Sequence, residues 1–272
     1  MHRSLLAGLL GSLALLIAAV PAGAIVGGAL DGNGHPNVGM HYFTQLDGTY
    51  RCSNTLIAPR LVLTAAHCTE NTIGKALVTF DNPGPRLPAS GGDASRFVTG
   101  TSYASAKWTG KLQNTALNDV GVIVLDRPAA DLWPGIHPVS LASLGLLDQL
   151  GAKGGLKKTA FTLVGYGVYF EKPADGPQKL EAVSDRTRRV TTVGMQNLTS
   201  DVIKFQENEN NSTFGGGSCF GDSGGPAFLN GVQIGITSFG GAQFCTGMGG
   251  YQRVENQNAY SFIHGFLSAY PN

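Results

Sequence analysis

Charge is scarce in this sequence. Asp, Glu, Lys and Arg make up 14% of its 272 residues and almost cancel, leaving a formal net charge of +1. Without a basic surplus there is no electrostatic footprint for nucleic acid or for an anionic membrane surface. No C-x-x-C occurs and the six histidines are scattered, which excludes paired metal-binding knuckles; neither metal nor cofactor is expected. After the first twenty residues no apolar run is long enough to cross a bilayer.

What the opening residues do hold is an export signal. His2 and Arg3 precede an apolar run from Leu5 to Val20, then Pro21 and the small residues Ala22-Gly23-Ala24. That run falls short of the roughly 20 residues a spanning helix needs, and it ends in an A-x-A site. Residues 1–24 are therefore expected to be a signal peptide, and the mature protein to be secreted, extracellular and free of the membrane. The 39 glycines, about twice average usage, imply many tight turns between short strands. Four cysteines, Cys52, Cys68, Cys219 and Cys245, make two disulfides the default in an exported chain. Three connectivities are open; pairing each cysteine with its nearer neighbour would close two short loops.

Short β-branched or apolar runs recur between turn signals: 54–57, 61–63, 76–80, 120–125, 158–164, 190–193, 202–205, 227–229 and 233–238. This pattern is that of an all-β sandwich or barrel. Loops are expected at 81–93, which holds three prolines, at 169–178 and at 207–217. A linker rich in Pro, Gly and Leu covers 127–155, and helical spacing of Tyr260, Ile263, His264 and Leu267 predicts a C-terminal amphipathic helix over 255–270.

The strongest chemical signal is Gly221-Asp222-Ser223-Gly224-Gly225-Pro226. A serine hydroxyl becomes a nucleophile only beside a base, on a turn tight enough for backbone N–H groups to face the developing oxyanion. Alone, the string also fits the G-x-S-x-G elbow of α/β-hydrolases. That fold needs an acid and then a histidine after the serine, and only His264 follows. Upstream stand Thr64-Ala65-Ala66-His67-Cys68 and Asn118-Asp119 followed by a Val/Ile run, giving the order His, Asp, Ser.

These blocks, with Ile25-Val26-Gly27-Gly28, resemble the TAAHC, ND, GDSGGP and amino-terminal motifs of the trypsin and chymotrypsin family of serine proteases. The resemblance implies two six-stranded antiparallel β-barrels with a C-terminal helix: the first barrel over 25–141, a linker over 142–154, and the second barrel with the helix over 155–272. It implies Ser223 as nucleophile, His67 as general base and Asp119 as the group orienting the histidine, with the N–H groups of Gly221 and Ser223 as oxyanion hole. It also implies the disulfides Cys52–Cys68 and Cys219–Cys245, and an activating ion pair between the Ile25 amine and Asp222, released when the signal is cut after Ala24.

For the substrate pocket, the resemblance puts Gly217 at the base and Ser238, Phe239, Gly240 and Gly249 along the walls. Trypsin-like members carry Asp at that base and glutamyl-specific ones a His where Thr237 stands; neither is present. The expectation is thus an uncharged pocket that takes bulky apolar side chains, chymotrypsin-like, in an endopeptidase working through an acyl-enzyme. Phe239 and Tyr166 stand where the family often has Trp, and the third disulfide of the second barrel is missing. Asn197 and Asn211 begin glycosylation sequons, common by chance. Expected partners are protein or peptide substrates and proteinaceous inhibitors, with a monomer as default. The reading from another class is a protease-like scaffold that binds or adheres without cutting; retention of all three triad residues weighs against it.

Overall fold

The computed structural model describes Ile25 and residues 27–111, 117–156, 158–171, 180–208, 214–240 and 244–271. The export segment, part of the 169–178 and 207–217 loops, and the Asn211 sequon lie outside the described residues.

The first barrel closes in the order β2-β3-β4-β7-β6-β5. Its strands are β2 (Val38–Gln45), β3 (Gly48–Ala58), β4 (Leu61–Thr64), β5 (Ala76–Thr79), β6 (Val98–Ala104) and β7 (Gly121–Leu125), preceded by a short β1 (Ala29–Leu30). All of β4 and β7 are buried, as their Leu, Val and Ile runs require of strands covered on both faces. The second barrel uses β9 (Ala160–Gly165), β12 (Arg189–Leu198), β13 (Val202–Glu207), β14 (Pro226–Leu229), β15 (Val232–Gly240) and β16 (Gly247–Arg253). Pairing of β12 with β9 shuts that ring, so both barrels are six-stranded and antiparallel.

The elements between barrels are more than connectors. β1 pairs with β12 of the second barrel, and β8 (Ser140–Leu141) pairs in parallel with β15. α1 (Leu146–Ala152) lies within the expected linker and buries Leu147 in the second-barrel core. β10 (Tyr169–Glu171) and β11 (Glu181–Val183) pair antiparallel, and β10 takes residues that read as loop. α2 (Gln257–Ala269) is capped by Asn256, whose side chain accepts a hydrogen bond from Ala259 N at 2.9 Å. Its buried Ala259 and Ile263 pack back onto Phe43, Leu61 and Val122 of the first barrel.

Three of the barrel strands, β2, β6 and β16, fall outside the runs read from the sequence, and glycine explains two of them. In β6 a Cβ at Gly100 would lie 2.5 Å from Ile123 Cγ2. In β16 a Cβ at Gly250 would run into the Phe239 ring and one at Gly249 into the Glu207 carboxylate. These glycines lower strand propensity because a neighbour's side chain crosses over them. β2 has a different reason: His41 is buried inside it, with Nδ1 3.3 Å from Asn54 Nδ2.

Candidate active site

His67 sits in a one-turn 3₁₀ segment, Ala66–Cys68, tied to β3 by the Cys52–Cys68 disulfide. Asp119 follows Asn118, whose backbone is left-handed at φ 57°, a turn conformation Asn tolerates better than most residues. That turn drives the carboxylate inward, where it is 0% exposed. One oxygen accepts from His67 N at 3.0 Å and the other from His67 Nδ1 at 2.8 Å. With Nδ1–H donating to Asp119, the Nε2 lone pair is left to accept a proton.

The second barrel completes this arrangement. Ser238 Oγ donates to Asp119 Oδ2 at 2.5 Å, and Asp119 N donates to Gln252 Oε1 at 3.0 Å. Ser238 reaches across because the β15–β16 register breaks between Thr237 and Phe239, a bulge that re-aims the side chain. Gln252 was not singled out from the sequence. Its signal is a fully buried amide on a strand otherwise made of Gly, Met, Tyr and Arg, legible only once burial is known.

Ser223 lies on a turn whose own hydrogen bonds are donated by Asp222 N to Cys219 O at 2.9 Å, Gly225 N to Asp222 O at 2.8 Å and Gly224 N to Thr237 O at 2.8 Å. Gly221 at φ 96° and Gly224 at φ 80° occupy backbone regions that disfavour a side chain. At Gly224 there is no room either, since a Cβ would run into Thr64 Oγ1. The turn is seated on the first barrel through Ser53 N, which donates to Ser223 O at 2.8 Å. Asp222 is buried beneath it, accepting from Gly167 N at 2.7 Å and Cys219 N at 2.8 Å. Burial pushes its carboxyl up to about 6, against the amide donors and the charges of Arg51 and Arg189. Ile25 is buried in the second-barrel core with Leu163 and Phe161.

His67 and Ser223 line one cavity of about 240 Å³, walled further by Ser218, Cys219, Thr237, Ser238, Phe239, Gly240 and Cys245. The Cys219–Cys245 disulfide braces it, so both bridges pair as the family resemblance implied. Ser238, Phe239 and Gly240, expected along the pocket wall, are among the residues that line this cavity. Gly217 and Gly249 do not form the wall: both stand behind Glu207, which does.

The expectation of an uncharged pocket is therefore corrected. Glu207, the last residue of β13, read as the first residue of a solvated loop. It is instead 2% exposed and contributes to the cavity lining. Its Oε1 accepts from Ser218 N at 3.1 Å, from Ser218 Oγ at 2.9 Å and from the Tyr251 hydroxyl. The Tyr251 ring is fixed in turn at 4.8 Å from Phe205, itself 4.9 Å from Phe161. Desolvation pushes the Glu207 carboxyl up to about 7.

Glu207 and Asp222 both bind protons more tightly folded than unfolded, so their contribution to stability is fully present in acid and is lost as pH rises through about 6 and 7. Glu207→Gln cannot ionise. In a Ser223→Ala background that prevents self-digestion, urea unfolding should show this variant gaining on its parent by up to about 3 kcal/mol between pH 5 and pH 8. An equal stability difference at both pH values would contradict the burial argument.

Among the described residues one cluster has metal-ligand chemistry, His41 with Cys52 and Cys68. The two sulfurs are joined in the disulfide, which leaves His41 alone as a donor, and burial pushes its imidazole down to about 4.

Known proteins resemble this chain in sequence and in fold. The family model described as Trypsin matches residues 25–260. A brachyurin from Leptuca pugilator is 30% identical over 206 residues, covering 74% of this chain and 80% of that protein. A trypsin from Saccharopolyspora erythraea is 29% identical over 218 residues, covering 75% and 83%. Among solved structures, HL collagenase matches with a TM-score of 0.64 at 20% identity over 91% of this chain and 96% of its own. Human heparin binding protein gives 0.59 at 19% over 91% and 98%. Likeness at those identities speaks for the fold. The family match spans both barrels and every block from Ile25 to the Ser223 turn, and on it the chain belongs to the trypsin family.

Proposed function

We propose that the chain is a secreted serine endopeptidase that cuts peptide bonds through an acyl-enzyme. The observation that carries this reading is Asp119: fully buried, it accepts from both the backbone N–H and Nδ1–H of His67, and His67 lines one cavity together with Ser223. Ser223 Oγ attacks the substrate carbonyl while His67 Nε2 takes its proton, then returns it to the leaving amine; Asp119 holds the tautomer and the charged imidazolium. The N–H groups of Gly221 and Ser223 receive the oxyanion, each donor in such a site contributing roughly 3 to 4 kcal/mol. Water then releases the acyl group by the same proton path reversed. Protein and peptide chains are the substrates, and proteinaceous inhibitors that occupy the same cavity are the natural partners.

Activation follows from Asp222. A buried carboxylate pushed up to about 6 gains from a cation, and an amine at Ile25, freed by cleavage after Ala24, would supply one. Ile25 has φ 61° in the intact chain, an unfavourable backbone for a β-branched residue that cleavage would relieve. A preparation whose first residue is Ile25 is expected to be active, and one carrying two extra residues ahead of it to lose about 10²-fold in kcat if the Gly221 amide is displaced. Equal kcat in the two preparations would remove the ion pair from the mechanism.

The test of the function itself is turnover. Purified protein incubated with denatured casein should generate new amino termini catalytically; stable binding with no new termini would favour the non-cutting scaffold instead.

A further inference from the structure

The acid missing from position 217 is supplied from elsewhere in the fold. Family members that cut after Arg or Lys carry their Asp in the turn six residues before the nucleophile, where this chain has Gly217. Here a carboxylate reaches the cavity from the end of β13, and two glycines make room for it. A Cβ at Gly217 would overlap the Glu207 side chain, and one at Gly249 would overlap both carboxylate oxygens. Glu207 therefore occupies the space that side chains at the base and wall positions would fill.

We propose that Glu207 is the specificity-determining residue of this cavity and that it selects substrates with a cationic side chain, Arg or Lys, on the acyl side of the bond to be cut. The proposal rests on the peptidase reading and names the substrate class of that same site.

The hydrogen bonding favours a cation over an apolar occupant. The bonds from Ser218 N, Ser218 Oγ and the Tyr251 hydroxyl all end on Oε1, so Oε2 carries none of the three. Among the described residues no salt bridge reaches this carboxylate. An apolar side chain driven into the cavity would strip water from Oε2 and put nothing in its place, a cost that buried charges meet only by pairing. A guanidinium or ammonium donates to Oε2 and offsets the desolvation that raises the carboxyl. A substrate carboxylate would be repelled. The remaining walls suit the aliphatic stem of such a side chain: the Cys219–Cys245 bridge, Phe239 and Gly240 are largely apolar. The volume of about 240 Å³ exceeds the roughly 150 Å³ cavity known to hold a benzene ring.

Benzamidine and benzamide share a ring and differ in charge, so their affinities for the Ser223→Ala protein isolate the role of the carboxylate without requiring turnover. Benzamidine is expected to bind at least 100-fold more tightly, and Glu207→Gln in the same background to reduce that ratio at least tenfold. Equal affinity for the two probes would overturn the proposal, and this comparison stands even where the Gln variant fails to fold. In the active protein, matched peptide anilides ending in Arg or Lys should exceed those ending in Phe or Leu by at least 100-fold in kcat/KM; a preference for Phe or Leu would likewise overturn it. Preferred benzamidine binding with no cleavage of any peptide would instead sink the peptidase reading and leave the cation site standing.

Discussion

Asp119→Asn is expected to lower kcat about 10⁴-fold while leaving the fold intact. The reason lies in how the carboxylate is used. Its Oδ1 is committed to the backbone N–H of His67, and its Oδ2 accepts from both His67 Nδ1 and Ser238 Oγ. An Asn can keep the first of these bonds only by turning its NH2 toward Nδ1. That group donates, so Nδ1 becomes the acceptor and the ring proton moves to Nε2, the atom that must receive the Ser223 proton. The Ser238 hydroxyl can rotate to accept from the new NH2, which is why little stability is lost. Steady-state kinetics at neutral pH on a peptide anilide, with circular dichroism as a control on folding, measures the effect. A loss below about tenfold would mean that the histidine is not held in its tautomer by Asp119.

Ser223→Ala should lower kcat about 10⁶-fold, because no other group can form the acyl-enzyme. Substrate affinity should hardly move, since the cavity depends on Glu207, Ser218, Phe239 and the Cys219–Cys245 bridge rather than on the hydroxyl. The structural risk is small as well. The backbone contacts of the turn, Ser53 N to Ser223 O and Gly224 N to Thr237 O, are made by main-chain atoms and survive the substitution. Residual activity within 10²-fold of the parent would require a different nucleophile. Pairing the two variants is informative: if His67, Asp119 and Ser223 act as one unit, Asp119→Asn added to Ser223→Ala should cost almost nothing further.

Much of the barrel framework is legible in the sequence because its strands are of the kind that advertise themselves. β4 and β7 are Leu, Val and Ile runs but for Thr64 and Gly121 at their ends, and the blocks around His67, Asp119 and Ser223 carry their chemistry within a few residues. β16 is harder to see, since Gly247, Gly249 and Gly250 sit where a strand should be rich in β-branched residues; its signal lies in the side chains of Glu207 and Phe239 that cross over the last two. Gln252, and the bond that Ser238 makes to Asp119, are hidden for a related reason: both act on Asp119 from the other barrel, across 133 and 119 residues of chain.

Glu207 shows how a hydrophilic context misleads. It opens a run of Glu and Asn that reads as solvated, yet Ile203, Phe205 and Glu207 alternate along β13 and are all buried. Extending the 202–205 run by one further period-two step, to 207, turns the carboxylate inward. Gly217 and Gly249 gave the complementary hint. A side chain at either glycine would overlap Glu207, so the two together leave the volume that its side chain fills.

The reactivity of a single hydroxyl tests the central claim most directly. Incubating the protein with a serine-directed organophosphonate and locating the adduct by peptide mass spectrometry should give one modification, on Ser223, that disappears in His67→Ala. Equal labelling of the two proteins, or an adduct on any other residue, would contradict a nucleophile activated by the histidine that Asp119 holds.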